Sequence, residues 1–348
     1  MGRAERINTM RRLEQVRGSR VICYFTSDRP NAEAQIQKDV LTLFAEQLRR
    51  MGRQAKIDVL LYTSGGDTLA AFSIARLIRE YAPEMNALVP MRCHSAGTLL
   101  ALGAHEIGMT KGATLSPIDP SIVGPLNPFV DTAPGQRQFL PLSVETVAGF
   151  KGLVSEDWGI KGEEALGAAF RVLAEKVHPL ALGDVFRARQ QIEILARKQL
   201  AQHREDEENV QKIVKTLTRG LGSHDYYIGL SEARALFGSQ VVELTGDADA
   251  ATWELYEDFA AEMELRTPFD ALIAVRTAQR AGQGGTVNVV QRLAIVETSE
   301  GGDVAEREMA LREVQQQQLP PGIVFPGMAA PGPRIEAEVV RAGWRRYT

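Results

Sequence analysis

The sequence predicts an α/β fold with a mostly parallel sheet. Three short apolar runs, at 20–26, 57–63 and 86–91, are each followed by a segment with helical periodicity. Such alternation of strand and helix is typical of right-handed βαβ crossovers between parallel strands. The chain has 348 residues, enough for one generous domain with an appended piece, or for two modest domains.

The helices after these strands are expected at 32–51, 68–81 and 96–105, and a fourth short strand at 106–110. Residues 117–142 are rich in Pro and Gly and predict an irregular excursion. Further helical patterns cover 143–158, 161–176, 182–203, 206–221 and 231–237, before a strand at 241–244.

The sequence pattern changes again near residue 246. A helical pattern over 253–281 precedes strand-like alternation at 287–298, 304–314 and 334–344, with a Pro-rich loop or linker before the last of these. We therefore divide the chain into an N-terminal basic helix (1–19), a main domain (20–245, with an insertion at about 124–176) and a small α+β C-terminal extension (246–348).

Composition excludes several classes of protein. The chain is 44% hydrophobic and 24% charged, which is ordinary for a globular protein, and its net charge of −4 gives no reason to expect nucleic-acid binding. Cys23 and Cys93 form no CxxC pair, and the five histidines lack an HExxH spacing. We therefore expect no disulfide framework, no metal and no cofactor, and a reducing cytoplasm as the location.

The N-terminal segment lacks the apolar core of a secretory signal. Apolar residues recur there at helical spacing opposite several arginines. This pattern is compatible with a helix that contacts a membrane surface or an acidic partner, and with an edge helix packed on its own domain or on a neighbouring subunit.

Two strand-to-helix junctions carry the candidate chemistry. The first, at 63–67, reads Thr-Ser-Gly-Gly-Asp. Gly65 and Gly66 let the backbone approach a bound group, and the start of the following helix offers free N–H donors for an oxyanion. Glycine at such a position is also explained by the geometry of a tight turn alone.

The second junction places Ser95 between a strand and a helix, followed by Ala96 and Gly97. The hydroxyl is expected at the carboxyl end of the sheet, near the positive end of the helix, where a nucleophile is useful. A serine at this position is equally explained as a helix N-cap.

Together these junctions resemble the serine dehydrogenase proteinase family, which is related to ClpP-type proteolytic subunits and signal peptide peptidase A. The resemblance covers about residues 20–245. It rests on YTSGGD (62–67), HSAGTLLALGAHEI (94–107), LSPIDPSI (115–122), HPLALG (178–183) and SHDYYIGLSEARALFG (223–238). The tail beyond residue 245 is outside it.

The resemblance implies a ClpP/crotonase-like superhelix of ββα units and a serine peptidase. Ser95 would attack the acyl carbon, and an oxyanion hole would be framed by Gly65 and Gly66 with help from the N–H of Ala96. It also implies a polypeptide substrate and a homo-oligomer, with the helix at 182–203 and the C-terminal extension as candidate interfaces.

The general base is harder to assign from the sequence. ClpP-like sequences carry a histidine about twenty-five residues after the serine, where this chain has Ser-Pro-Ile-Asp-Pro at 116–120. Ser–Lys relatives carry a lysine at the start of the long helix, where this chain has Gly-Asp at 183–184. The nearest candidates are His178 and, with burial to lower its pKa, Lys176. A structural role for His178 at the turn before Pro179 is also open.

Asp225 matches the triad aspartate of ClpP and is predicted to orient an imidazole, with turn capping as the other interpretation. His224, beside it, is an alternative functional imidazole. His94 is a poor base for its neighbour Ser95, and Asp119 is interpreted as a loop-fixing residue.

Three other functions remain open at this point. The first is a catalytically silent scaffold, and the second is a crotonase-like enzyme acting on an acyl thioester. A phosphate site at residues 64–67 is more distant, since no P-loop Lys-Ser/Thr completes it. In the insertion, Phe129, Phe139, Leu140 and Phe150 would line an apolar substrate pocket or form a small core of their own.

Overall fold

The computed structural model describes residues 2–133, 136–204, 206–314 and 334–347. Eight of the fifteen strands in these ranges form the main sheet. The strands in chain order are β1 (Arg20–Thr26), β2 (Lys56–Tyr62), β3 (Glu84–Val89), β4 (Arg92–Cys93), β5 (Ile107–Met109), β6 (Thr114–Leu115), β7 (Ser121–Ile122), β8 (Phe129–Ala133), β9 (Gln136–Phe139), β10 (Leu142–Ser143), β11 (Ile228–Gly229), β12 (Val241–Glu243), β13 (Val287–Thr298), β14 (Gly301–Val314) and β15 (Arg334–Arg346). The α-helices are α1 (Arg3–Arg17), α2 (Val40–Met51), α3 (Thr68–Tyr81), α4 (Ala96–Leu102), α5 (Val144–Gly152), α6 (Glu163–Lys176), α7 (Pro179–Leu200), α8 (Glu207–Lys215), α9 (Leu230–Phe237), α10 (Gly246–Glu262) and α11 (Ala271–Arg280).

The main sheet is a mixed one, with strand order β12-β5-β3-β2-β1-β13-β14-β15. Pairing is parallel from β12 to β1 and antiparallel from β1 to β15. The strands of the C-terminal segment therefore continue the sheet of the preceding part along the β1 edge. The architecture is mixed α/β with one large sheet.

Both faces of the parallel strands are buried, because side chains along a strand alternate between faces and helices cover each side. On β1, Ile22 and Tyr24 belong to the core that includes residues of α2, α3 and α4. Val21, Cys23 and Phe25 belong to a second core that includes residues of α1 and α10. Strand runs that are apolar throughout, rather than alternating, follow from this double burial.

A three-stranded sheet of order β11-β6-β4 lies beside the main one. The chain runs from β3 in the main sheet directly to β4 in the small sheet, and α4 then leads back to β5 in the main sheet. From β5 the chain again passes directly to the small sheet, at β6. Later it passes from β11 in the small sheet through α9 to β12 in the main sheet. Successive strands thus alternate between two sheets around α4 and α9.

The N-terminal helix packs on its own chain. Arg6 is 1% exposed and binds Glu297 at 2.8 Å and Asp258 at 2.5 Å, while Met10 and Leu13 are fully buried. The arginines at 3, 12 and 17 of α1 also pair with carboxylates of this chain. Of the two interpretations of this basic segment, the structure therefore matches the packed helix.

Two helices are shorter than their periodicity predicts. The helix expected at 32–51 starts at Val40, because the preceding residues form a loop along the 63–67 junction. The helix expected at 253–281 is interrupted at 263–270, where Pro268 blocks helical continuation and the N–H of Phe269 donates to the Pro30 carbonyl at 2.9 Å. The loop or linker predicted before the last strand falls at 315–333, outside the described residues.

None of the helices in the described ranges has both the length and the apolar character needed to span a membrane.

Candidate active site

The two sequence-predicted junctions lie side by side because backbone bonds join them. Thr63 and Cys93 form an isolated parallel bridge, in which the Thr63 N–H donates to the Arg92 carbonyl and the His94 N–H donates to the Thr63 carbonyl, both at 3.0 Å. The turn after β2 is thereby held against the turn after β4. Gly65 and Ser95, thirty positions apart in sequence, become neighbours.

Gly65 touches Ser95 directly. A Cβ on Gly65 would lie 2.7 Å from the Ser95 Cβ and 3.0 Å from the His94 carbonyl oxygen, so any side chain there would collide with the serine. Gly65 also has φ of +112°, a region that residues with a side chain rarely adopt. Both constraints require glycine at this position.

Ser95 has a strained backbone. Its φ of 49° and ψ of −115° place it outside the regions favoured for residues with a side chain, at a cost on the order of 1–3 kcal/mol. The residue is partly exposed, and within the described ranges its hydroxyl has no hydrogen-bond partner. The N-cap interpretation fails, because the side chain makes no capping bond to α4. A strained strand-to-helix turn with a free hydroxyl is the geometry of a nucleophile elbow.

The two turns that meet at Gly65 and Ser95 each carry a backbone donor without an acceptor among the described residues. Ile36 accepts from the Asp67 N–H and donates to the Gly65 carbonyl, both at 2.8 Å, which fixes the Gly-Gly turn from its other side. Among the described residues, the N–H groups of Gly66 and Ala96 have no acceptor. Free amides at a turn and at a helix start suit a developing oxyanion.

Ser116 fixes the peptide just before these donors. Its hydroxyl accepts from the Ser95 N–H at 2.8 Å and donates to the Pro117 carbonyl at 2.9 Å. The Ser116 N–H in turn donates to the Thr98 hydroxyl at 3.1 Å. Since Ser116 satisfies the Ser95 amide, the next amide along the chain, that of Ala96, is left for another acceptor.

A histidine–carboxylate pair lies at the end of the small sheet where β4 leads into Ser95. His224 Nδ1 lies 3.0 Å from Asp119 Oδ1, and the Asp119 side chain is 2% exposed. The second carboxylate oxygen of Asp119, Oδ2, is also buried and has no partner within the described ranges. The hydrogen bond to Asp119 raises the pKa of His224 despite its burial, and the charge of Asp225 acts in the same direction.

His94 is held as a neutral ring next to this pair. Its Nε2 lies 2.8 Å from the Thr114 hydroxyl, and its ring stacks on Tyr227 at 5.0 Å between centroids. Burial is the main cause of a pKa of about 4 for His94, and the charges of Arg92 and His224 contribute in the same direction. Tyr227 thus ties the segment that carries His224 to the turn that carries Ser95.

The two bases predicted from the sequence stand apart from these contacts. His178 is the exposed N-cap of α7, and its Nδ1 accepts from the Leu180 N–H at 3.2 Å. Lys176 is exposed at the end of α6. In the described ranges neither residue has a hydrogen bond or ion pair with Ser95. The Asp225 side chain is exposed, whereas Asp119 makes the direct bond to His224.

An apolar groove of about 640 Å³ lies between α5, α6 and α7. Phe150, Phe170 and Phe186 line it, with Arg189 and Arg219 among its polar residues. The Val144 N–H donates to the Pro120 carbonyl at 3.4 Å, and the Asp119 charge raises the pKa of Glu145, after the larger effect of burial. The groove therefore adjoins the His224–Asp119 pair. Of the remaining insertion aromatics, Phe129 and Phe139 pack on each other at 6.0 Å.

Within the described ranges, no cluster of three or more His, Cys, Asp or Glu residues could hold a metal ion.

A family model spans the two junctions described above. It is that of the ClpP-like SDH-type serine proteinases, and it matches residues 2–130. Over this segment the chain is similar to the ClpP-like SDH-type serine proteinases. The resemblance stated from the motifs is thus confirmed. The matched part includes Gly65, Gly66, Ser95, Ser116 and Asp119, whereas His178 and His224 lie beyond it.

Two relatives from Methanocaldococcus jannaschii are similar in sequence. "Uncharacterized protein MJ1495" is 26% identical over 265 residues, which are 74% of this chain and 78% of the relative. "Uncharacterized protein MJ0137" is 27% identical over 190 residues, or 54% of each chain.

Solved structures also resemble the fold. A variant of the 1510-N membrane-bound stomatin-specific protease, in complex with a substrate peptide, is 16% identical with a TM-score of 0.35, over 60% of this chain and 70% of that one. ClpP1 from Listeria monocytogenes is 14% identical with a TM-score of 0.35, over 68% of this chain and 98% of that one. Likenesses of this size carry no conclusion about activity.

The structure brings together Gly65 and Ser95, which the sequence predicts as site residues. Sequence patterns do not predict the bond from the Ser95 amide to Ser116 or the pairing of Asp119 with His224. The sequence pattern favours a loop-fixing role for Asp119 and gives His224, beside Asp225, as an alternative functional imidazole. The available signal was an aspartate between two prolines, about two dozen residues after the serine, where the resemblance predicts a histidine.

Proposed function

We propose that this chain is a serine peptidase that hydrolyses peptide bonds through an acyl-enzyme on Ser95. Three features support this: a strained, partly exposed serine, two backbone amides in the adjoining turns that have no acceptor among the described residues, and a match to a family of serine proteinases over residues 2–130. The substrate is a polypeptide, and neither a metal nor a cofactor takes part in the proposed reaction.

In the proposed reaction, the Ser95 oxygen bonds to the carbonyl carbon and the carbonyl oxygen becomes an oxyanion. The N–H groups of Gly66 and Ala96 donate to that oxygen, and Gly65 leaves room for it because it has no side chain. Preorganised donors of this kind are worth about 2.7–4 kcal/mol each in related chemistry. Their value is greatest at the transition state, because that is where the negative charge develops.

One observation carries the proposal: the backbone of Gly65 lies against the Cβ of Ser95, while Ser95 itself has φ of 49°. A strained residue persists only where its surroundings hold it, and such residues cluster at functional sites. A serine with a purely structural role would gain nothing from this conformation.

The test is active-site labelling with a fluorophosphonate, followed by mapping of the labelled residue and by a casein digest. We expect labelling of the wild-type protein at Ser95, and none in Ser95→Ala. Ser155→Ala is the matched control, since within the described ranges the Ser155 hydroxyl donates to the Lys151 carbonyl and to no other group. Equal casein cleavage by wild type and Ser95→Ala would refute the proposal and favour a silent scaffold or an acyl-thioester enzyme.

We also propose that the groove between α5, α6 and α7 receives an apolar segment of the substrate. Its adjacency to Asp119 through Val144 and Pro120 supports this role, as do the aromatic side chains that line it. Apolar pockets with a few polar groups are the usual form of a binding site. Phe150 thus contributes to a pocket, as one of the two sequence interpretations suggested.

Three further proposals concern the superhelical fold, the self-association and the location of this chain. The alternation of strands between two sheets supports a ClpP/crotonase-like superhelix. The outer edge of β15, a 13-residue strand at the end of the sheet, supports self-association of the chain. The two free, buried cysteines support a reducing compartment, the cytoplasm.

A further inference from the structure

We propose that His224 is the general base that activates Ser95, and that Asp119 is its positioning residue. This inference rests on the peptidase activity proposed above. It replaces the His178 and Lys176 candidates with a pair drawn from two separate segments of the chain.

The topology of the small sheet brings these residues together. β4 and β6 are parallel, so Ser95 and Asp119 both follow strands that end at the same edge. β11 is antiparallel to β6, with Ile228 paired to Leu115, so the residues before β11 lie at that edge as well. His224 is four positions before β11 and therefore lies at the edge where Ser95 lies.

Side-chain contacts also link the His224–Asp119 pair to the turn that carries Ser95. Tyr227 stacks on His94, the neighbour of Ser95, with 5.0 Å between the ring centroids. Ser116 bonds the Ser95 amide, and its own segment leads through Pro117 and Ile118 to Asp119. The charge of His224 also reaches His94, where it contributes to the lowered pKa of that ring. The pair is thus tied to the Ser95 turn from both of its members.

Asp119 sets the ring in the form that a base requires. With Nδ1–H donating to the carboxylate at 3.0 Å, the neutral His224 ring keeps its lone pair on Nε2. Within the described ranges Nε2 has no partner, and the His224 side chain is 39% exposed, so it is accessible to a substrate. The buried carboxylate also stabilises the imidazolium that forms when the ring takes a proton.

The other titratable groups nearby fit the base role less well. His94 has its Nε2 engaged with Thr114 and a pKa of about 4, so it is a weak proton acceptor near neutral pH. His178 caps α7. Lys176 is exposed at the end of α6 and, within the described ranges, has no hydrogen bond or ion pair with Ser95.

The reaction balances on these groups alone. His224 Nε2 takes the Ser95 hydroxyl proton as the oxygen bonds to the carbonyl carbon. The carbon–nitrogen bond of the peptide then breaks, and His224 gives that proton to the leaving amine. Water next attacks the acyl-enzyme and loses its proton to His224, which returns it to Ser95 as the ester bond breaks.

The experiment compares His224→Gln and Asp119→Asn with the control His178→Gln. It measures kcat and KM on a peptide substrate, the fluorophosphonate labelling rate and the pH dependence of both. We expect His224→Gln to lower kcat about 100-fold or more, with KM nearly unchanged, since general-base catalysis contributes roughly 10²–10⁴-fold. His178→Gln should stay within about twofold of wild type, because its side chain is exposed.

The pH profile separates catalysis from structure. In wild type, activity should rise with pH as His224 loses its proton, at a pKa above the usual 6.5. Asp119, Asp225 and His94 face this ring, and Glu145 faces Asp119. Asp119→Asn removes the main cause of the raised pKa, so the acid limb should move to lower pH while the maximal rate falls. If Asp119 had only a structural role, Asp119→Asn would leave the acid limb of the pH–activity profile at the same pH.

The outcomes distinguish the two proposals. Wild type that labels at Ser95 while His224→Gln labels equally fast would overturn the base assignment and leave the peptidase proposal standing. Loss of labelling in His178→Gln or Lys176→Ala alone would do the same. Wild type that neither labels nor cleaves would overturn both. Should His224→Gln unfold, as seen in a thermal melt, the Asp119→Asn pH profile and rescue of His224→Ala by added imidazole decide the question.

Discussion

The ring of Tyr227 stacks on the ring of His94, with centroids 5.0 Å apart and planes 27° apart. His94 precedes Ser95, and Tyr227 follows His224 by three positions. Two segments separated by more than a hundred residues are therefore in contact at the proposed active site. Tyr227 is 58% exposed, so this contact can be removed by mutation of a surface residue.

Replacing Tyr227 by Ala should lower kcat about tenfold or more, because the segment that carries His224 loses an anchor and small displacements of catalytic groups are costly. The fold should lose only about 0.5–1.5 kcal/mol, the usual worth of an aromatic pair. Steady-state kinetics and urea unfolding measure the two effects. Tyr227→Phe is the control, since stacking survives; a loss of activity in that variant would argue against the anchor.

Gly65→Ala should abolish most activity. Its new Cβ would lie 2.7 Å from the Ser95 Cβ, and the backbone at φ of +112° disfavours alanine, so the serine must move. A misplacement of about 1 Å costs roughly 100-fold in rate, which the fluorophosphonate labelling rate would report. The matched control is Gly167→Ala, in α6, where a Cβ meets nothing within 4 Å. A labelling rate in Gly65→Ala near that of wild type would contradict the geometry.

Phe170→Ser should weaken cleavage of peptides with large apolar side chains. Phe170 lines the groove between α5, α6 and α7, and the loss of apolar contact in a pocket typically costs about 10–200-fold in kcat/KM. Labelling by a small fluorophosphonate, which does not need the groove, should remain unchanged. Trp158→Ser changes an exposed aromatic residue outside the groove and serves as the control. An equal loss in both variants would argue against the groove as a substrate site.

Arg6→Ala should destabilise the fold strongly without touching the active site. Arg6 is buried among Glu297, Asp258 and Glu262, and removing one member of a buried ion cluster costs about 3–5 kcal/mol. Urea unfolding of the full chain measures this. Arg11→Ala, on the exposed side of the same helix, should change the stability by less than about 0.5 kcal/mol. Similar values for the two variants would contradict the role assigned to this cluster.

Two histidines should titrate on opposite sides of the usual value. By NMR, His94 should titrate near 4 because it is buried, and His224 above 6.5 because it donates to Asp119. The His94 contribution to stability is present above pH 6.5 and is lost as the pH falls, since only the unfolded state is protonated between about 6.5 and 4. The pH dependence is reversed for His224: its contribution to stability is present below pH 6.5 and is lost as the pH rises through its pKa in the folded state. Asp119→Asn should lower the His224 value; no change would exclude the pairing.

The sequence alone determined the strands that carry the site and the residues at their ends. Apolar runs followed by helical periodicity placed β1, β2 and β3 within one or two residues, because burial on both faces leaves an unmistakable pattern. Gly65, Gly66 and Ser95 were recognisable because their residue types are unusual where strands turn into helices.

Only the tertiary structure decided which groups lie together. The bridge between Thr63 and Cys93 sets Gly65 against Ser95, and the antiparallel pairing of β11 with β6 carries His224 to Asp119. Such contacts depend on strand direction and register between distant segments, which hydrophobic periodicity does not encode. For this reason the sequence favoured His178 and Lys176, close to the start of the long helix, over a histidine brought in by sheet topology.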